Sequence, residues 1–338
     1  MTPARTHAFC VAPMVDLTDR HCRYFHRLLS RHARLYTEML STRAVLLGDR
    51  ARVLGFDAAE HPVALQLGGS EPAELAAAAR IGADSGYDEI NLNCGCPSER
   101  VQRGAFGACL MAEPMRVADC VAAMRDAVDV PVTVKHRIGI GRDESYGFVR
   151  DFVGAVAAAG CELFIVHARN AWLEGLSPKD NRRIPPLRYE IVHRLKRDFP
   201  ALRFVLNGGL GEHESAVAAA RGLDGAMLGR AVYENPWLLA DVDARWFGRT
   251  GPAPDRTAVA LAMRDYARGR LREGVALRAV TRHILGLFNG MPGARRWRRT
   301  LSDAALLRED DPDLILRALD AVGPMTAQAA GPVATASP

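Results

Sequence analysis

No stretch of this sequence approaches roughly 18 uninterrupted apolar residues, so no membrane-spanning helix is expected. The opening "MTPARTHAFCVAPMV" lacks a long apolar run before its first strand-like segment and does not read as an export signal. Those two absences make the cytoplasm the expected location. The dinucleotide fingerprint G-x-G-x-x-G is missing, and so is the Walker P-loop, which argues against an open doubly wound sheet. Neither C-x-x-C nor H-x-x-x-H lies near the thiols at 94 and 96, which leaves a metal there short of ligands, and none is expected. The seven cysteines (10, 22, 94, 96, 109, 120, 161) are odd in number and scattered through apolar surroundings, favouring free thiols over a disulfide framework. A strong charge imbalance is absent too. The net charge of +5 comes mostly from arginine and is weak support for a nucleic-acid partner until its location is known.

The chain does hold ample core material, with 49% apolar and 25% charged residues in 338. Strand-like runs recur at regular intervals: "FCVAPMV" (9–15), "RLYTEML" (34–40), "PVALQLGG" (62–69), "EINLN" (89–93), "VPVTVKHR" (130–137), "LFIVHAR" (163–169), "RFVLNGG" (203–209) and "GAMLG" (225–229). Between most of them lie amphipathic segments such as "EPAELAAAARIGADSG" and "EPMRVADCVAAMRDAV". Runs rich in Val, Leu and Ile joined by helical crossovers imply a parallel sheet buried on both faces, and eight such units in about 240 residues predict an α/β fold, a (β/α)8 TIM barrel. Strand signals vanish after residue 255. Helical periodicity, carried to its end by "SDAALLREDDPDLILRALDAV" (302–322), then predicts a helical domain over 255–322, behind a linker "RTGPAPDR" (249–256) and a barrel over 1–248. The small-residue segment 323–338 predicts a disordered tail.

Barrel enzymes build their sites at the C-terminal ends of strands. Here those ends carry Pro13 and Met14, Glu38, Gln66, Asn91 and Asn93, Lys135 and Arg137, His167 and Arg169, Asn207-Gly208-Gly209, and Gly229-Arg230. Each taken singly has an ordinary structural reading, a turn amide or a core histidine. Together they exceed what a packing rim needs. The glycines after the last two strands expose backbone N–H groups where barrels commonly bind phosphate, and a helix starting near Arg230 would add its positive end. A central Lys135 suits the negative edge of a reduced flavin. Phosphate and delocalised anion together point to FMN. Of the paired thiols, Cys96 lies beyond the strand and before Pro97. A strained disulfide across two strand residues is disfavoured, and a nucleophile would need a base that the sequence does not show beside it. A proton donor needs only position and a closing loop, for which "RVQRGAFGACLM" with Gly104 and Gly107 is the candidate. Cys94 reads as packing.

The segments "APMVDLTDRHCRYFHRLLS", "HPVALQLGGSEPAELAAAA", "GYDEINLNCGCPSERVQRGAFGACLM", "VPVTVKHRIGI", "FIVHARNAWLEGLSPKDNRRIPPL", "LGRAVYENPW" and "GMPGARRWRRTLS" resemble the tRNA-dihydrouridine synthases, in particular the DusA group, up to about residue 320. The resemblance implies non-covalent FMN held by Pro13, Met14, Val15, Gln66, Lys135 and His167, with Asn207, Gly208, Gly209, Gly229 and Arg230 at its phosphate end. It implies NADPH as reductant, hydride to C6 of a D-loop uridine at tRNA position 20 or 20a, and a proton to C5 from Cys96. It further implies that the substrate tRNA is contacted by Asn93, Lys179, Arg182, Arg295 and Arg298, the last two in an arginine cluster around Trp297. No protein partner is evident, and a monomer is expected. An FMN-dependent reductase of a free pyrimidine, in the manner of dihydroorotate dehydrogenases, is the alternative, and leaves the basic helical segment unused. An RNA-binding module without catalysis would leave Cys96 and the phosphate cradle unused.

Overall fold

Valine, leucine and isoleucine crowd the short strand segments because a parallel strand in a closed barrel is packed on both faces. The computed structural model describes residues 6–142 and 145–322. Its strands are β1 (Phe9–Val11), β2 (Leu35–Ser41), β3 (Val63–Gly68), β4 (Glu89–Cys94), β5 (Val132–Arg137), β6 (Leu163–His167), β7 (Arg203–Asn207) and β8 (Gly225–Leu228). All neighbours pair in parallel, in the order β1-β8-β7-β6-β5-β4-β3-β2. A bridge from Cys10 to Arg34 closes the ring between β1 and β2, Val11 N donating to Arg34 O at 2.9 Å. The result is a (β/α)8 barrel. Ala12, Tyr36, Ala64, Ile165, Val205 and Met227 cluster in its core.

Local chemistry starts the crossover helices where the sequence predicts them. Proline occupies the first turn of Pro72–Asp84 and Pro114–Ala127, where a missing N–H costs nothing. Asp19 caps Arg20–Leu29 by accepting from His21 N and Cys22 N. Several strands stop short of their predicted ends. β1 ends at Val11, just before Pro13, which has no N–H for a ladder. β7 ends at Asn207 because Gly208 turns the chain at φ +115°.

The chain divides into two compact units, Met1–Ala253 and Pro254–Pro338. In the second, Asp255 caps the helix Arg256–Arg272 by accepting from Ala258 N at 2.8 Å. Leu277–Ile284, Ala294–Leu301 and Leu314–Asp320 follow. The single helical run expected near the end of this unit is broken. Ala304–Leu307 forms one turn, Asp310 sits at φ +48°, and Pro312 precedes the last helix. Trp297 anchors the unit, fully buried, its ring 4.7 Å from Phe288 and its Nε1 donating to Ile284 O at 2.9 Å. No helix among the described residues is long and apolar enough to cross a membrane. The tail expected at 323–338 lies outside the described residues.

Candidate active site

Strand register brings the polar strand ends together. Gln66 pairs with Asn91, Asn93 with Lys135, Arg137 with His167, and His167 with Asn207. Side chains two apart on a strand share a face, so β5 presents Thr133, Lys135 and Arg137 on one side. His136, on the other, packs against Phe152 and Phe164, where burial holds it neutral, its pKa lowered to about 4.

The mouth of the barrel is rich in cations. Burial, reinforced by Arg137, pulls Lys135 down to about 7, and its ammonium donates to Asn207 Oδ1 at 3.1 Å. Arg137 is buried, which lowers its pKa to about 10, and it ties Gly95 O (3.1 Å), Asn170 O (3.3 Å) and Asn181 O (3.0 Å) together. Burial drives the His167 pKa well below its ordinary value, and Arg137, Lys135, Arg169 and Arg182 push it further. Arg169 and Arg182 are lowered by burial first, and Arg230 acts on both in the same direction. Arg169 Nε is buried without a partner. So many neighbouring cations, Lys135, Arg137, Arg169, Arg182 and Arg230, make a site suited to an anion.

The floor for such an anion is glycine. Gly208 and Gly209 lie at φ +115° and +68°, where L-residues are strained. A Cβ on Gly208 would come within 2.7 Å of His167 Cδ2, and one on Gly209 within 2.5 Å of Leu187 Cδ1. Gly229 stands so close to Met14 that a Cβ there would be 3.4 Å from its Sδ, and Arg230 opens the short helix Arg230–Glu234. These residues fit an FMN: backbone and cations for the phosphate, Lys135 for the negative edge of the ring.

Cys96 sits on the turn after β4. Its N and that of Gly95 both donate to Asn93 Oδ1, at 3.0 and 3.1 Å, and its thiol lies 3.6 Å from Ser98 Oγ. Ala108 N donates to Cys96 O at 2.9 Å, which folds the following segment back onto the turn. The expected hinges there have packing roles. A Cβ on Gly107 (φ +81°) would lie 2.6 Å from Cys96 O, and one on Gly104 2.4 Å from Phe106 Cε1. Cys94 is fully buried, and burial pushes its thiol pKa well up.

Other expected site residues differ in placement. Pro13 and Met14 are half-buried, whereas Val15 is 59% exposed. Asn207, expected at a phosphate, uses its amide inside the protein: Nδ2 donates to Met227 O at 2.7 Å while Oδ1 accepts from Lys135. It therefore reaches the site through Lys135. Asn93, expected to meet the nucleotide, holds the Cys96 turn and donates one Nδ2 hydrogen to Gln66 Oε1 at 2.9 Å. Lys179 and Arg182 lie on the segment after β6, Lys179 exposed and Arg182 with its side chain exposed in part but desolvated at the mouth. Arg295 and Arg298 lie on the exposed face of Ala294–Leu301, in the second unit, opposite the buried Trp297. Arg298 donates to Asn289 Oδ1 at 2.9 Å. Glu38, unassigned from sequence, accepts from Asp16 N and so fastens the loop carrying Met14 and Val15. Sequence reasoning passed over Glu89, Tyr36, Thr133 and His7, which form a buried polar cluster beneath the site. The alternating polar positions of "EINLN" were its one signal.

The chain matches the model of the dihydrouridine synthase family over residues 10–322. It is 57% identical to a tRNA-dihydrouridine(20/20a) synthase of Synechocystis sp., over 92% of this chain and 93% of that one. The proteins of the same name from Pseudomonas aeruginosa and Escherichia coli are 58% and 54% identical, covering 88% and 95% of this chain and 90% and 98% of theirs. Among solved structures, a 2-naphthoyl-CoA reductase in complex with 2-naphthoyl-CoA aligns with a TM-score of 0.53 at 13% identity, over 70% of this chain and 49% of that chain, a likeness of fold alone. With that match spanning the barrel and its polar mouth, the chain belongs to the dihydrouridine synthase family.

Proposed function

We propose that this chain is a tRNA-dihydrouridine synthase that uses FMN and NADPH to reduce the C5–C6 double bond of uridines at positions 20 and 20a. The observation that carries the reading is Cys96, held by Asn93 on a turn beside the cationic, glycine-floored mouth. Relatives 54–58% identical over most of both chains bear that name and support the same two positions.

When bound, FMN supplies the hydride that arrives at C6, with NADPH as its source. The protein does the rest. Lys135 and Gln66 orient the ring edge. Gly208, Gly209, Gly229, Arg230 and the neighbouring arginines take the phosphate through backbone N–H groups and charge. Asn93 keeps one Nδ2 hydrogen for a uracil carbonyl, and the Cys96 thiol gives its proton to C5. A uridine inside folded tRNA must leave its stack, at a cost of a few kcal/mol. Lys179 and Arg182 in the first unit, and Arg295 and Arg298 in the second, offset that cost by binding phosphates.

The test is to incubate the flavin-loaded protein with NADPH and tRNA lacking dihydrouridine, then map the modification by position. Dihydrouridine at 20 and 20a is expected from the wild type. Cys96→Ala should still let NADPH reduce the flavin but lose roughly 100-fold or more in dihydrouridine formation, the scale of a lost general acid. Flavin reduction without any dihydrouridine in tRNA would overturn the reading in favour of a small pyrimidine substrate.

A further inference from the structure

Glu89, Asn91 and Asn93 alternate along β4, so their side chains share one face, toward the inside of the barrel. Glu89 is fully buried, and no step above uses it. Its Oε1 accepts the hydroxyls of Thr133 (2.6 Å) and Tyr36 (2.9 Å), its Oε2 lies 2.6 Å from His7 Nε2, and Arg34 Nη1 is 3.6 Å away. Burial alone would raise its pKa, but His7, Arg34 and Thr133 outweigh burial and hold it at about 2.

An ionised carboxylate only accepts, so it dictates the direction of every bond that follows. Thr133, its one hydrogen committed to Glu89, can only accept from the other side, and it takes Asn91 Nδ2 at 2.8 Å. That turns Asn91 Oδ1 toward Gln66, whose Nε2 donates to it at 2.7 Å. Gln66 Oε1 then faces Asn93 and accepts its Nδ2 at 2.9 Å. Asn93 is left presenting Oδ1 to Gly95 N and Cys96 N. A free amide has two orientations of similar shape. Here one charge sets three amides in succession, and a reversal at Asn93 would face its NH2 against two backbone N–H groups.

We propose that Glu89 is a positioning residue whose carboxylate, acting through Thr133, Asn91, Gln66 and Asn93, fixes the amide polarity that holds the Cys96 turn. The role of the thiol in this inference rests on the proposed synthase activity, whereas the polarity of the chain rests on the contacts alone.

Thr133 is the link to break, because valine keeps its shape and removes the hydroxyl while serine keeps the hydroxyl. In flavin-free protein, Thr133→Val should let iodoacetamide alkylate Cys96 several-fold faster than in wild type, read by peptide mass. In the loaded enzyme it should slow single-turnover dihydrouridine formation by about 10- to 100-fold, the range for residues that orient a reacting group from behind, with Thr133→Ser staying within about threefold on both measures. Thr133→Ala takes the place of the valine variant if thermal melting shows that valine does not fold. Serine as impaired as valine would mean a packing role, and valine indistinguishable from wild type would mean no relay; either overturns the proposal. If the wild type forms no dihydrouridine, the functional reading fails, yet the alkylation rates of the valine and serine variants still decide the relay.

Discussion

Lys135 is the residue whose protonation the fold leaves most open. In the free site its pKa stands at about 7, lowered by burial and Arg137 from an ordinary 10.5. A bound flavin with its phosphate brings acceptors and negative charge, which favour the ammonium and raise that pKa. The complex then holds more protons than the free protein between about 7 and the higher bound value, so FMN binding takes up a proton and rising pH opposes it. FMN affinity should fall as pH increases above about 7, by at most about tenfold per pH unit for a single group, and Lys135→Met should flatten the profile. Titration by quenching of flavin fluorescence measures both, and a slope unchanged in the methionine variant would remove Lys135 from the site. The positions of Lys135, Gln66 and Cys96 were legible in the sequence because each lies in the C-terminal half of a strand or on the turn after it, where barrels keep their chemistry. Glu89 was not, because it opens its strand. Its partners Tyr36 and Thr133 come from separate strands that the register of β2 to β5 brings beside it, and His7 comes from the segment before β1. Val15 follows Met14 in sequence, yet its side chain faces solvent.

The elements themselves were readable from period and punctuation, and their misread ends have local causes. "LNGG" looked like strand to its last glycine, but Gly208 and Gly209 leave the extended region to pass beneath His167 and Leu187. The same backbone path makes the floor of the mouth, so the turn after β7 joins fold and proposed cofactor site in two residues. Gly208→Ala puts a Cβ 2.7 Å from the His167 ring at a φ of +115°, a strain of order 1–3 kcal/mol. The variant should melt several degrees lower and leave purification with less bound flavin. Gly211→Ala, where a Cβ meets nothing within 4 Å, is the control and should match wild type in both. Equal flavin content in the two variants would show that the floor yields without consequence. The final helical segment was misjudged for a related reason: periodicity ran on through "REDDPD", while Asp310 at positive φ and Pro312 end one helix and start another.

At the scale of the molecule, a net charge of +5 says little until it is located. In the first unit, Arg137, Arg169, Arg182 and Arg230 gather at the mouth. In the second, the helix Ala294–Leu301 sorts its residues cleanly, with Ala294, Trp297 and Leu301 inward and Arg295, Arg296, Arg298 and Arg299 outward. The sequence motif "GARRWRR" therefore packs its tryptophan in the core and turns its arginines to solvent, where a phosphate backbone can meet them. Because the arginines sit opposite the core contacts, replacing two of them leaves the packing of Trp297 intact. Each phosphate contact releases condensed counterions, so it contributes to the salt dependence of binding as well as to affinity. Arg295→Ala with Arg298→Ala should weaken tRNA binding most at low salt. It should reduce the slope of log affinity against log salt by about 1.4 to 1.8, or about 0.7 to 0.9 per contact. NADPH oxidation by oxygen, which needs no tRNA, should stay at the wild-type rate. A salt slope equal to that of wild type would mean that these two arginines face solvent in the complex as they do in the free chain, and that the phosphate contacts lie on other cations.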